Sequence, residues 1–251
     1  MKRCLLLLLC STLWASACPG ADLRAYSEEF APFNFTEQGQ FRGLAVEVLQ
    51  QVSKAAGLQV DTAVLPWPRA VLRNGEDADS LLFTTVRTPQ REKQYRWVGP
   101  IDDCAVVVMK RKDNTRVQIT SRADIGQYSI GLPTHGADLD IFQAQHLSLD
   151  KAILVPGSGS LIRMFYAGRF DLLSGIQLSY AYQARQYGLP PSRLQVAYVL
   201  DPGQGCYFAF NPKVNPQLLQ RFEAAFHALA RSGQLQVLRD RYLQQGPENT
   251  R

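Results

Sequence analysis

The chain has 251 residues, 46% of them hydrophobic, with 27 Lys and Arg against 22 Asp and Glu. That apolar share excludes a disordered chain and allows one large domain or two small ones. The charges are scattered, with no basic tract of the kind that marks nucleic-acid binding, and the three histidines show no metal-ligand spacing.

The opening MKRCLLLLLCSTLWASA carries Lys2 and Arg3, an apolar run, and then Ala15-Ser16-Ala17. This pattern predicts a secretory signal peptide over residues 1–17, removed from an exported protein. No later stretch approaches 18 apolar residues, so no membrane span is expected. Loss of Lys2 and Arg3 leaves 25 basic against 22 acidic residues, a mild positive balance that fits an anionic or zwitterionic ligand. Cys18 directly follows Ala17, but the segment before it lacks the leucine of a lipoprotein site, so lipid anchoring is the lesser option. Cys104 and Cys206 stay in the mature chain. In an oxidising compartment they pair, or they are two small buried side chains; their spacing does not decide which.

In chain order, residues 23–26 form a strand candidate, followed by a turn in which Pro32 excludes regular helix. Leu44, Ala45, Val48, Leu49 and Val52 share one helical face, and Gly57 ends that helix. A strand is expected over 58–65, a short helix over 67–74 stopped by Gly75, and a buried strand over 81–83. This is a βαβαβ pattern in some 80 residues, which predicts a parallel sheet.

Thr84 and Thr85 follow where the third strand would end, and Arg87 and Arg91 flank a turn at Thr88-Pro89. Hydroxyls at a strand end and a planar guanidinium suit a carboxylate or phosphate. A solvated basic turn is the more common outcome for such a segment when it is read alone.

Gly99-Pro100 is read as a break. Further strands are expected over 105–109, 128–132, 152–155 and 170–173, with helices over 137–144, 160–167 and 178–187. The tail supplies strands over 194–199 and 206–210. Two helices follow, one opened by Pro216 and the other over 235–243.

The segment 81–101, with Thr88-Pro89, Arg91-Glu92, an aromatic patch and then Gly99-Pro100-Ile101, resembles a segment of the bacterial extracellular solute-binding proteins, family 3. Phe30-Ala31-Pro32-Phe33, Phe41-Arg42-Gly43-Leu44, and Trp67 with Gly75 and Asp79 agree with it in order and spacing. The resemblance implies an α/β fold of two Rossmann-like lobes joined by two crossover segments, of the periplasmic binding protein type II, with a ligand cleft between them. Mapped here, residues 22–101 and 206–251 form lobe 1, and residues 102–205 form lobe 2. The crossings then lie beside Cys104 and Cys206, which favours the disulfide.

The resemblance also assigns roles. Arg91 pairs with a ligand carboxylate, Thr84 and Thr85 offer hydroxyl and main-chain contacts, and Phe30 covers the ligand. Trp67 is a candidate wall, balanced against simple packing. Arg87 adds a second positive charge or points outward. Thr134 and His135 sit in a turn before a helix start, where free N–H groups bind anions, although a plain turn residue is the more common role for a histidine such as His135. The segment Ser174-Gly175-Ile176-Gln177 lacks the aspartate that amino-acid receptors place there for the ligand's amino group.

The implied function is capture of a small carboxylate-bearing or zwitterionic, amino-acid-like solute by a periplasmic monomer. It would present the solute to an ABC-type permease without catalysis, cofactor, metal or nucleic acid. Two alternatives stand beside it: a periplasmic enzyme of the same fold that dehydrates small acids, and a ligand-sensing module without transport. Asp138 and Asp140 are read as helix-start caps rather than site residues.

Overall fold

The computed structural model describes residues 20–156, 158–203 and 205–244. The expected leader, residues 1–17, and Cys18 lie outside them. Strand β1 (Leu23–Ser27) is followed by a small hairpin, β2 (Phe35–Glu37) and β3 (Gln40–Arg42). Helix α1 (Leu44–Ala56) buries Leu44, Ala45, Val48, Leu49 and Val52, the apolar face seen in the sequence. It ends at Gly57, whose φ of 63° is the left-handed cap that glycine adopts without a Cβ clash. Strand β4 (Val60–Val64), helix α2 (Trp67–Glu76) and strand β5 (Ser80–Val86) complete the first unit, and β6 (Arg96–Asp102) follows the arginine turn.

The second unit contains β7 (Val106–Arg111), β8 (Ile130–Pro133), α3 (Ala137–Ala144) and β9 (Ala152–Val155). It continues with α4 (Ser158–Tyr166), β10 (Leu172–Ile176), α5 (Gln177–Gln186) and β11 (Leu194–Asp201). The chain then returns through β12 (Cys206–Phe210), α6 (Pro216–Arg231) and α7 (Gln234–Gln244).

Two five-stranded sheets result, ordered β4-β1-β5-β12-β6 and β11-β7-β10-β8-β9. In the first, β1 runs parallel to β4 and β5, and β12 inserts antiparallel between β5 and β6. In the second, β8 runs parallel to β9 and β10, and β7 pairs antiparallel with β10 and β11. This is the two-lobe α/β architecture. The tail is anchored to the first sheet by aromatic packing: Phe222 of α6 lies 5.1 Å from Phe208 and 5.0 Å from Phe210, ring centre to ring centre.

The chain passes between sheets at 103–105 and 202–205, between the end of β6 and the start of β7 and between β11 and β12. Cys104 and Cys206 are bridged across these passages, with Cα atoms 5.5 Å apart. That settles the pairing that residue spacing alone left open.

Three expectations change, and one element is additional to them. Gly99-Pro100 does not break the chain: β6 runs through it, because β6 is an edge strand where a proline without N–H is tolerated. Gly75 lies inside α2, which continues to Glu76. The hairpin of β2 and β3 was not anticipated, since six residues around a short turn carry too little alternation. Finally, Ser174, Gly175 and Ile176 belong to β10 and Gln177 begins α5, so the strand expected over 170–173 runs on to Ile176 and the next helix follows it directly.

Candidate functional site

A cavity of about 540 Å³ lies between the two lobes. Its first-lobe wall comes from the end of β1 (Glu28, Phe30), the entry to α2 (Trp67), the end of β5 (Val86) and Arg91 in the turn after β5. Its second-lobe wall comes from the β8–α3 turn (Thr134, His135), the first turn of α3 (Asp138), Gly175 of β10 and Tyr180 of α5. These are the carboxyl ends of parallel strands, where α/β sheets gather ligands.

Five of the eight residues named from the sequence are thus brought together: Phe30, Trp67, Arg91, Thr134 and His135. The other three are not in the wall. Arg87 donates through Nε and Nη2 to the Glu92 carboxylate at 2.7 and 2.5 Å, and its guanidinium lies 5.6 Å from the Trp97 ring and 5.2 Å from the Tyr207 ring. The aromatic patch seen in the sequence is therefore its stacking partner. Thr84 is buried with φ at 57°, beside the irregular β5–β12 register, and donates to Asn34 Oδ1 at 2.5 Å. Thr85 is buried, with no partner for its hydroxyl among the described residues.

Arg91 faces the cavity but is already engaged. Its Nε and Nη2 both lie 2.8 Å from Asp140 Oδ2, which belongs to α3 of the other lobe. The guanidinium also sits 5.7 Å from the Trp67 ring, so Trp67 is a platform for the arginine as well as a wall. Gln90 Nε2 donates to the Asp140 carbonyl at 3.0 Å. Elsewhere along the gap, Ser179 Oγ donates to the Ala31 carbonyl at 2.6 Å, and Phe35 packs on Tyr182 with ring centres 5.4 Å apart.

Sequence reasoning missed the carboxyl groups of this site. Asp138 is buried, and its Oδ1 accepts from Ser174 Oγ of β10 at 2.5 Å. It is not a cap: the residue at the start of α3 is Gly136, with no side-chain cap bond. Burial pushes the Asp138 carboxyl up, against the Ser174 hydrogen bond and the more distant Arg91 charge. The second lobe therefore does present a carboxylate to the cavity, from α3 rather than from the end of β10.

Glu28, at the end of β1, has no hydrogen bond or ion pair to its carboxylate among the described residues. Burial pushes it up to about 7, with Arg91 opposing. Its one signal in the sequence is its place at a strand end, two residues before Phe30. Tyr180 closes the wall against Gly175, where φ is 148° and a Cβ would lie 2.4 Å from the ring, so glycine is required. Among the described residues no group of His, Cys, Asp and Glu is arranged to hold a metal ion. No helix there is long and apolar enough to cross a membrane.

Comparison with known proteins gives a consistent picture. The family model of the bacterial extracellular solute-binding proteins, family 3, matches residues 24–245. The L-cystine-binding protein TcyA of Bacillus subtilis (strain 168) is 24% identical over 227 residues, covering 89% of this chain and 81% of the relative. A histidine kinase sensor domain with similarity to periplasmic binding proteins superposes with a TM-score of 0.78 at 18% identity, covering 89% of this chain and 96% of the other. The substrate binding protein of an amino acid ABC transporter gives a TM-score of 0.73 at 17% identity, covering 90% and 100%.

Proposed function

This chain belongs to the bacterial extracellular solute-binding proteins, family 3, and from that premise we propose that it captures a small amino-acid-like solute between its lobes and presents the closed form to an ABC-type permease. Lobe 1 is assigned to residues 22–101 and 206–251, and lobe 2 to residues 102–205. The make-up of the two sheets supports that division. The observation that carries the reading is a cavity walled by both lobes, with the Arg91 guanidinium facing into it.

A solute carboxylate would take Arg91 from Asp140 through a charge-assisted pair, and Phe30 and Trp67 would cover its apolar body. Contacts to both walls exist only when the lobes are together, so the solute shifts the open–closed equilibrium toward the closed form. The relative in Bacillus is named for an amino acid, L-cystine, which supports the solute class. With residues 1–17 read as an export leader, the solute would be captured outside the cytoplasmic membrane, and we take the binding unit to be a monomer.

A thermal-shift screen over amino acids, organic acids and polyamines tests this. A true solute at 100 times its Kd adds about 2.7 kcal/mol of stability. A flat response across all three classes would overturn the reading.

One observation favours a second reading. Glu28 and Asp138 are cleft carboxyls pushed toward protonation, the state an acid catalyst of dehydration needs. Incubation of the pure protein with small cyclic acids, followed for product, decides between binder and enzyme.

A further inference from the structure

Besides the Arg91–Asp140 pair, the lobes meet along α5. Ser179 is buried, and its Oγ donates across the gap to the Ala31 carbonyl at 2.6 Å. Gln183, one turn further along α5 and also buried, donates through Nε2 to the same Oγ at 3.0 Å. The hydroxyl thus accepts within its own lobe and donates to the other. Next to it Phe35, from the β2–β3 hairpin, packs on the buried Tyr182 with ring centres 5.4 Å apart. Burial pushes the Tyr182 phenol up, and the charge of Glu37 in the same hairpin adds to the shift, as expected if the hairpin covers the ring. None of Ala31, Phe35, Ser179, Tyr182 and Gln183 lines the cavity.

We propose that α5 is a solute-independent latch: Ser179 and Tyr182 of the second lobe grip Ala31 and Phe35 of the first, hold a substantial share of the unliganded protein closed, and set Phe30 in its covering position. This rests on the lobe closure of the proposed function and not on the nature of the solute. Parting the lobes would strip the Ser179 hydroxyl of its acceptor and uncover two aromatic rings to water. A solute carboxylate would displace Asp140 from Arg91, but it would leave the α5 contacts in place. Phe30 is tied in because the carbonyl that Ser179 holds belongs to the next residue, while the Phe30 ring stacks on Phe33 with centres 5.4 Å apart. Ser179 is therefore a positioning residue. Because the latch touches no solute, it raises the affinity for every solute by one common factor, the gain in closed population.

The test is small-angle scattering on the unliganded protein, with each curve resolved into closed and open shares. Wild type should contain a clear closed share. Ser179→Ala should lower the closed-to-open ratio about fivefold. Phe35→Ala and Tyr182→Ala should each lower it about threefold or more. The Phe35→Ala/Tyr182→Ala double variant should open no further than either single one, because the two residues act through one contact. Side chains that merely supported their own lobes would instead add. Circular dichroism confirms the fold of each variant. If Ser179→Ala fails to fold, Phe35→Ala carries the same test from the partly exposed hairpin of the other lobe. A wild-type protein that is wholly open without solute overturns the latch. So do folded variants that scatter as wild type, and so does additive opening in the double variant. Solute capture is decided separately by the thermal-shift screen, so the two readings can fail independently.

Discussion

Arg91 and Asp140 join the two lobes across the cavity through one carboxylate oxygen, Asp140 Oδ2, which lies 2.8 Å from both Nε and Nη2 of the arginine. The arginine side chain is 14% exposed and the aspartate 30%, so the pair is partly shielded from water. In the proposed binding mode, Asp140 holds the position a solute carboxylate would take. Asp140→Asn should therefore tighten binding of carboxylate-bearing solutes and loosen the unliganded closed form. Calorimetry reads the first effect and small-angle scattering the second. Weaker carboxylate binding in the variant would count against the exchange.

Arg91→Ala should abolish the stabilisation by carboxylate-bearing solutes while the unliganded protein still folds. Its own stability should fall by about 1–2 kcal/mol, from loss of a charge-assisted contact at a partly exposed site. Thermal melts with and without solute measure both quantities. An unchanged solute response would remove Arg91 from the binding role.

The bridge between Cys104 and Cys206 closes a span of 102 residues. In the chain-entropy description a loop of that length contributes about 4–5 kcal/mol by restricting the unfolded chain. A Cys104→Ala/Cys206→Ala double variant should lose a few kcal/mol in denaturant titration. Wild-type protein melted under reducing conditions should match it. Equal stability of variant and wild type would mean the passages between lobes are held by packing alone.

Stability should also depend on pH through Glu28. Its folded-state carboxyl is raised to about 7 from an ordinary 4.5, by burial against the opposing Arg91 charge. A raised acid stabilises the fold below its unfolded pKa, and that contribution is lost as pH climbs through the folded value. The melting temperature should therefore fall between about pH 5 and pH 8, and Glu28→Gln should flatten the slope. Asp102 is pushed the same way, first by burial and then by Asp103, so part of the slope will remain. A wild-type profile that rises over this window would contradict the burial of Glu28.

Most of the fold was legible because its signals are local. The 44–56 helix shows its apolar face in one turn pattern, and the alternation of strands and helices marks the parallel pairing of β1 with β4 and β5. What was not legible depends on distant partners. The strand through Gly99-Pro100 exists because β12, over 100 residues later, pairs with its inner edge only. Arg87 points away from the cleft because Tyr207 returns beside Trp97 to stack with it. Asp138 looks like a helix cap until Ser174, 36 residues on, is placed against its carboxylate. The cleft position of Arg91 was within reach through the family resemblance, since the Thr88-Pro89 turn read alone suits a solvated basic turn, whereas its ion pair with Asp140 is a property of two lobes meeting.

The segment that carries Glu28 and Phe30 is held by one buried side chain, Asn34. Its Nδ2 donates to Ser27 Oγ at 2.9 Å and to the Glu28 carbonyl at 2.5 Å, and its Oδ1 accepts from Thr84. Ser27 Oγ in turn donates to the Phe83 carbonyl at 3.1 Å, so the network ties the end of β1 to β5. Asn34→Ala would leave these buried groups unpaired, at a cost of about 2–4 kcal/mol for the group of bonds. Asn34→Asp keeps the side-chain shape and the Oδ1 acceptor but loses both Nδ2 donations, so it should not rescue stability. Because the network sets the position of Glu28 rather than touching solute, hydrogen exchange in residues 27–34 should rise in both variants. Solute affinity should fall further than global stability explains, as compared with a core variant such as Phe226→Leu of similar stability loss. If affinity tracks stability alone in all three proteins, Asn34 supports the fold without positioning the site.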